Sequence, residues 1–552
     1  MSTETLWRLT PEIVLITAAV VIYLGGAFFN AQRLWRWIAG GGIALAALAL
    51  WTQHGRPYTG GPLVIDPLAV YVRWLALAAG GLLVLAASRP LADGGTPDYL
   101  GSLLLTIAGL MLVAGSGDLV LWFVGLELIS IPTYILLYLG RRDAASQEAA
   151  AKYFFLGVLA SAILLYGFSF LYGTAGSTQL AAIRQALLTP SDLPPGFDRL
   201  ARLALVLIFA GLGFKIAAVP FHFYAPDVYQ GTTYANAALL SVVPKAAGLV
   251  ALLRIVAISM PGMEPHGWRI ALLLAVLTMT VANLTALWQD NLRRLLAYSS
   301  IAHAGYMLIG LAVGLAGQQA PSLWDGLGAL LFYLCVYAAA TIGTFAALAY
   351  LGRDGRPLEA IDELAGLGRT RPLTAAVLAI FMFSLAGVPP LAGFWGKLAV
   401  FGSALTVDAG AAAEVSRQPW FVALAILGVL NAVVAAVYYL RIVGVMYFRT
   451  PLATPKAEGG AGAWSAAMAC AVLVVAIGLF PGPLLRESGR ASPGVGFRVQ
   501  GSGFRVQEEE LSMQMGYRTM DFRSDCADWH TFRNVAIKPR PLVASRFTDP
   551  DP

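Results

Sequence analysis

Residues Leu200–Asp227 read LARLALVLIFAGLGFKIAAVPFHFYAPD, and they decide what kind of molecule this is. The first part is almost wholly apolar, so Lys215 falls late in what reads as a membrane-spanning helix. Pro220 follows five residues on, and His222 two after that. An ammonium group in hydrocarbon costs at least ~2.5–3.5 kcal/mol and is normally paired or turned to water. A proline removes a backbone donor and breaks the helix, which a membrane tolerates only where protein or a water-filled cavity satisfies the freed groups.

Composition supports the membrane reading. Of 552 residues, 58% are hydrophobic and only 12% are charged, against about 25% charged in soluble domains; mean hydropathy is +0.70. A span needs roughly 20 apolar residues, and on that rule about fourteen candidates emerge, giving an all-α polytopic membrane protein. They lie near 11–29, 34–51, 66–88, 97–115, 118–139, 147–172, 201–220, 234–258, 268–288, 292–316, 323–351, 372–403 (interrupted), 419–447 and 463–485. The N-terminal stretch MSTETLWRLTPEIV lacks the basic region of a signal peptide, so the first run reads as a retained helix.

Arginines orient the set. Thirteen basic residues fall in one family of loops, among them Arg33, Arg141, Arg142, Arg293, Arg294 and Arg449, and seven in the other. This bias makes the first family cytoplasmic. Residues 1–486 form the membrane domain; 487–552 are polar, contain GFRVQ twice (496–500 and 503–507) and read as a disordered extension.

The chain holds 37 basic residues, only six of them lysine: Lys152, Lys215, Lys245, Lys397, Lys456 and Lys538. The first four fall in or at the ends of predicted spans, whereas the loops use arginine almost exclusively. Arginine keeps its charge at any accessible pH, while a lysine can release its proton. Lysine within and arginine without therefore suggests groups that load and unload protons. Glu127 joins them, mid-helix in DLVLWFVGLELISIPTYILL (118–137), and a Glu127–Lys152 pair between neighbouring helices would lower the cost of both charges. A second interrupted segment, FMFSLAGVPPLAGFWGKLAVF, carries Pro389, Pro390 and then Lys397, about 170 residues after Pro220. Two Gly/Pro-interrupted spans in corresponding positions are the mark of repeat-built transporters.

Blander readings stand beside these. Lys152, near a helix end, can snorkel. Pro244 can be a packing kink beside Lys245. His222 and His303 can be satisfied core or loop histidines, and the aromatic residues of the spans read as packing. The three cysteines form no CxxC pair, and no GxxxxGK[ST], GxGxxG or HExxH motif is present, so no nucleotide, metal, haem or iron–sulfur site is evident. The net charge of +6 reports cytoplasmic loops rather than nucleic-acid binding.

GFKIAAVPFHFYAPDVYQG (213–231), QDNLRRLLAYSSIAHAGYMLIGL (289–311) and SLAGVPPLAGFWGKLAVF (384–401) resemble the strongest motifs of the antiporter-like subunits of respiratory complex I, and among them most resemble the subunit N type, counterpart of mitochondrial subunit 2. The resemblance covers roughly residues 10–485; the long tail departs from it. It implies fourteen helices with two inverted five-helix repeats, each with a discontinuous helix, and a proton path of two half-channels joined at mid-membrane. It assigns proton translocation to Glu127, Lys215, Lys245 and Lys397, relay or coupling to Lys152, His222 and His303, and the helix breaks to Pro220, Pro389 and Pro390. It also implies other membrane-arm subunits as partners in the cell inner membrane, with NADH, FMN, iron–sulfur clusters and quinone held by partner subunits and no cofactor or metal by this chain. The alternative is a subunit of a multisubunit sodium/proton antiporter, which shares the motifs.

Overall fold

A computed structural model describes residues 2–492, apart from 30, 54–55, 88–94, 142, 189–196, 318–324, 354, 409–415 and 452–454; most of the polar tail lies outside the described residues. The chain order is α1 (Thr3–Arg8), α2 (Thr10–Phe28), α3 (Gln32–Thr52), a hairpin of β1 (Tyr58–Gly60) and β2 (Leu63–Ile65), α4 (Pro67–Ala86), α5 (Thr96–Gly115), α6 (Leu119–Gly140), α7 (Ala144–Ala175), α8 (Leu180–Leu188), α9 (Phe197–Ile216), α10 (Ala225–Gly231) and α11 (Tyr234–Leu252), the last prolonged by a π-turn to Ile258. Then come α12 (Glu264–Ala286), α13 (Leu292–Ala316), α14 (Gly326–Tyr350), β3 (Leu351–Arg353), β4 (Arg356–Pro357), a 3₁₀ turn (Ile361–Leu364), α15 (Leu367–Thr370), α16 (Pro372–Ala386), α17 (Ala392–Leu405), α18 (Gln418–Phe448), β5 (Lys456–Ala457), α19 (Gly460–Leu479) and α20 (Gly482–Ala491).

Among the described residues twelve helices are long and apolar enough to cross a membrane without interruption. The segments α9–α10 and α16–α17 supply two interrupted crossings, which together meet the expectation of fourteen. The helix starts follow local chemistry. Asp66, Asp118, Asp143, Thr233, Asn291 and Asp325 each accept a hydrogen bond from a first-turn N–H of the helix they precede, which satisfies donors that have no partner within the helix.

Two expectations need adjustment. The last span ends at Leu479 rather than 485, and a separate helix, α20, begins at Gly482. It buries Leu485, Ser488 and Ala491 against α4 and α14, so packed structure runs past the expected boundary at 486. The short strands and the amphipathic α8 had no counterpart in the sequence reading.

Burial runs from edge to centre. Less than a third of the apolar window of α2 is buried, whereas α11 is buried throughout and α13 and α14 nearly so. In a membrane the outer helices present apolar side chains to lipid or to neighbouring subunits. The central three can then carry polar groups that hydrocarbon would reject. Lys245 sits on α11 and His303 on α13, which places both within that enclosed centre.

Candidate functional site: a row of lysines through the centre

At the first break α9 stops at Ile216, because Ala217 turns into the left-handed region (φ 57°). The groups freed there find partners: the Val219 N–H donates to Thr278 Oγ1 of α12 (3.0 Å), and the Phe214 carbonyl accepts from Tyr224 Oη (2.9 Å). Lys215, two residues before the break, is 5% exposed, and its Nζ donates to Ser130 Oγ on α6 at 2.6 Å. Ser130 stands one helical turn from Glu127 (i, i+3), close enough for the Glu127 charge to act on Lys215. Glu127 itself accepts from Ser161 Oγ on α7 at 2.6 Å.

The expected Glu127–Lys152 pair does not form. Lys152 bonds Asp227 on α10 (2.8 Å) and Glu148 one turn back on α7 (2.7 Å), with 40% of its side chain exposed. Asp227 also takes Arg294 Nη1 at 2.7 Å. Lys152 therefore belongs to a solvated ion cluster. The cause is depth: the α7 residue that meets Glu127 is Ser161, nine positions further along, or about 13 Å of helix.

Lys245 lies deeper, 2% exposed on α11. That helix stays continuous through Pro244. Lys245 Nζ donates to the backbone carbonyl and to the hydroxyl of Ser300 on α13. Ser300 Oγ also receives Tyr337 Oη of α14 (2.8 Å) and meets Tyr229 Oη (3.3 Å). Between Lys215 and Lys245 the helices α9 and α11 approach at Gly248, where any Cβ would stand 2.6 Å from Ile216 Cγ2 and 3.3 Å from Lys215 Cβ. Glycine is needed there to let the two lysine-bearing helices touch.

One turn along α13 from Ser300, the buried His303 is held from both sides: Nδ1 against Tyr333 Oη (2.7 Å) and Nε2 against Tyr439 Oη (3.0 Å). Tyr439 Oη in turn meets Ser299 Oγ. These tyrosines, read from the sequence as packing, are hydrogen-bonding members of the row.

The second break places Lys397 on α17, after the interruption, whereas Lys215 precedes its own. Lys397 is 5% exposed, and its Nζ donates to the Leu385 and Ala386 carbonyls, both at 2.9 Å. It thus caps the carbonyl end of α16, where unpaired acceptors and the helix dipole favour a cation. Gly387 (φ 89°) turns the chain there, and a Cβ on it would lie 2.9 Å from Lys397 Cδ. The Gly393 N–H is satisfied by Ser384 Oγ (3.1 Å). Pro389 and Pro390 lie in the turn between the half-helices.

His222 stands apart. It is half-buried in the first break, and among the described residues its Nδ1 has no hydrogen-bond partner and it bonds none of the lysines. Among the described residues no three His, Cys, Asp or Glu side chains come together as a metal site.

Three ion pairs made by buried arginines were missed in the sequence. Arg73 (0% exposed) meets Glu12 (1%) at 2.6 Å; Arg254 forks onto Asp66 at 2.6 and 3.0 Å; Arg293 bonds Glu359 at 2.6 Å. Arginine is therefore not confined to loops. Arg73, in LAVYVRWLALAAG, was as visible in an apolar run as Lys215.

Residues 116–417, more than half of the chain, match the family described as NADH:quinone oxidoreductase/Mrp antiporter, TM. The chain is 38% identical over 503 residues to NADH-quinone oxidoreductase subunit N of Granulibacter bethesdensis, which covers 88% of this chain and 98% of that protein. It is 40% identical over 475 residues to the protein of the same name from Rhizorhabdus wittichii, at 83% and 93% coverage. Among solved structures, a chain of respiratory complex I from Thermus thermophilus with bound aureothin superimposes with a TM-score of 0.71 at 35% identity, over 86% of this chain and 99% of that one. A chain of the Mrp complex from Dietzia shares the fold (TM-score 0.74, 24% identity, 90% and 98% coverage). The chain belongs to the NADH-quinone oxidoreductase subunit N family, within the antiporter-like membrane subunits.

Proposed function

We propose that this chain is a proton-translocating membrane-arm subunit of an NADH:quinone oxidoreductase in the cell inner membrane, and that its central row of lysines is the path. The relatives named NADH-quinone oxidoreductase subunit N and the complex I structure support this reading; within it other membrane subunits stand beside the chain, and NADH, flavin, iron–sulfur clusters and quinone belong to partner subunits. The likeness to the Mrp complex is one of fold alone.

One observation carries the reading. Lys215, Lys245 and Lys397 are each buried with an ammonium bonded to hydroxyls or carbonyls, and among the described residues none has a carboxylate within ion-pair distance. Neutral acceptors hold a proton without fixing it. In this reading Glu127 gates the row. When its carboxylate is ionised and near, Lys215 keeps its proton; when the two move apart, the desolvated ammonium gives it up. Lys245 passes charge through Ser300 and the Tyr337–His303 neighbourhood towards Lys397, whose seat on α16 is the far station. His303 has hydrogen-bonding groups on both ring nitrogens, as a relay requires. Lys152 and its acidic neighbours take the part of a solvated mouth, and His222 has the weakest support.

The test is Lys245→Ala, measured as NADH-driven proton translocation in assembled complex, with NADH oxidation followed in parallel. Translocation should fall while the complex still assembles. Full translocation in a fully assembled variant would remove Lys245 from the path.

A further inference from the structure

Two of the three donors of the Lys397 ammonium are taken by backbone carbonyls. Its remaining complement is aromatic: Nζ lies 5.2 Å from the centre of the Tyr306 ring, within cation–π range. That ring is not free to drift. Asn283 of α12, fully buried, donates its Nδ2 to Tyr306 Oη at 3.0 Å. The same Nδ2 reaches the Asn431 carbonyl and Oδ1 on α18, both at 3.2 Å, and Asn283 Oδ1 accepts from Tyr438 Oη at 3.0 Å. Asn431 is itself fixed by Thr280 Oγ1 (3.2 Å) and the Leu427 carbonyl (3.0 Å).

We propose that Asn283 is a positioning residue for Lys397, acting through the tethered ring of Tyr306. The inference rests on the reading of Lys397 as a proton carrier. A phenol ring offers its electron-rich face to an ammonium only if its plane is held; here the rings of His303, Tyr333 and Phe401 pack around it, and its hydroxyl is gripped by an amide whose own hydrogen bonds span α12 and α18. A neutral amide suits this post. It supplies both donor and acceptor, and unlike an aspartate it adds no charge that would bind the Lys397 proton permanently.

The experiment measures protons moved per NADH oxidised in inverted membrane vesicles holding the assembled complex, with the loss in Lys397→Ala as full scale. Tyr306→Leu, which removes the ring, should show about four-fifths of that loss, as the fivefold effect of a lost cation–π contact implies. Tyr306→Phe keeps the ring and loses the tether, as Asn283→Leu does; each should show roughly half of the full loss, about the twofold effect at the lower end of the range for one neutral hydrogen bond. The double variant Asn283→Leu/Tyr306→Phe should be no worse than either single one, because both remove the same link. Asn283→Leu at the wild-type ratio, or a double variant whose losses add in full, would overturn the proposal. Should Asn283→Leu fail to assemble, Tyr306→Phe at the wild-type ratio overturns it alone, since that change adds no volume. Normal pumping in Lys397→Ala would sink the proton-carrier reading and this inference with it, whereas loss there with normal pumping in Tyr306→Phe and Asn283→Leu sinks this inference only.

Discussion

Arg73, Arg254 and Arg293 are buried from solvent as fully as Lys215, Lys245 and Lys397, yet the two sets live differently. Arg73, Arg254 and Arg293 each have a carboxylate at 2.6 Å, the last shared with Arg141. Lys215, Lys245 and Lys397 have hydroxyls and carbonyls instead. An arginine that cannot shed its proton needs a permanent counter-charge, or the bare ion carries the whole desolvation penalty. A lysine bonded only to neutral acceptors can exist with or without its proton, and either form leaves its partners satisfied. In the proposed reading the contrast separates a scaffold of fixed charge from a row in which charge can move.

The sharpest way to break the comparison is at Glu12–Arg73. If the pair is scaffold, Glu12→Ala strands a buried guanidinium and should cost roughly 3–5 kcal/mol, seen as loss of assembled complex and a lower melting temperature. The double variant Glu12→Leu/Arg73→Met removes both charges, so it should assemble and pump near normally. An assembled double variant that no longer pumps would move this pair from scaffold to path. Next in size is Lys215→Arg, which keeps a charge and forbids its release. It should pump no better than Lys215→Ala. Normal pumping would make Lys215 a fixed charge like Arg73 and erase the distinction at that position.

Much of this was legible in the sequence, for a physical reason: a charge or a proline inside twenty apolar residues is conspicuous wherever it falls. That rule found Lys215, Lys245, Lys397, Glu127 and both breaks. Applied evenly it also finds Arg73, inside the span 66–88, but not Glu12, which opens the span 11–29 where an acidic first turn is ordinary. What stayed illegible was pairing. Lys152 and Ser161 share one helix and differ by nine residues, yet only one stands level with Glu127, and that depends on where α6 and α7 cross. The tyrosines around His303 and Lys397 were illegible for a different reason. A tyrosine in a membrane helix has packing enough to justify it, and only coordinates show that Tyr333 and Tyr439 aim their hydroxyls at one imidazole.

The smallest expected effect lies where the same chemistry meets water. Asp408 and Arg417 lie outside the spans, between α17 and α18, and Arg417 forks onto the carboxylate at 2.7 and 2.8 Å. This bond, first among the causes, outweighs partial burial and, with the Arg417 N–H at 2.9 Å and the guanidinium charge, holds the Asp408 carboxyl below its ordinary value. A depressed carboxyl contributes stability that is complete above the unfolded value, about 3.9, and that vanishes as pH falls through the folded one. Asp408→Asn should therefore lower the melting temperature at pH 7 by no more than a pair worth under ~1 kcal/mol allows, and by progressively less below about pH 4. Both side chains keep some contact with water, 17% and 33% exposed, so the released arginine is resolvated rather than stranded. A loss as large as that of Glu12→Ala would mean that burial is not what separates scaffold pairs from surface ones, and the contrast between arginine and lysine would need another cause.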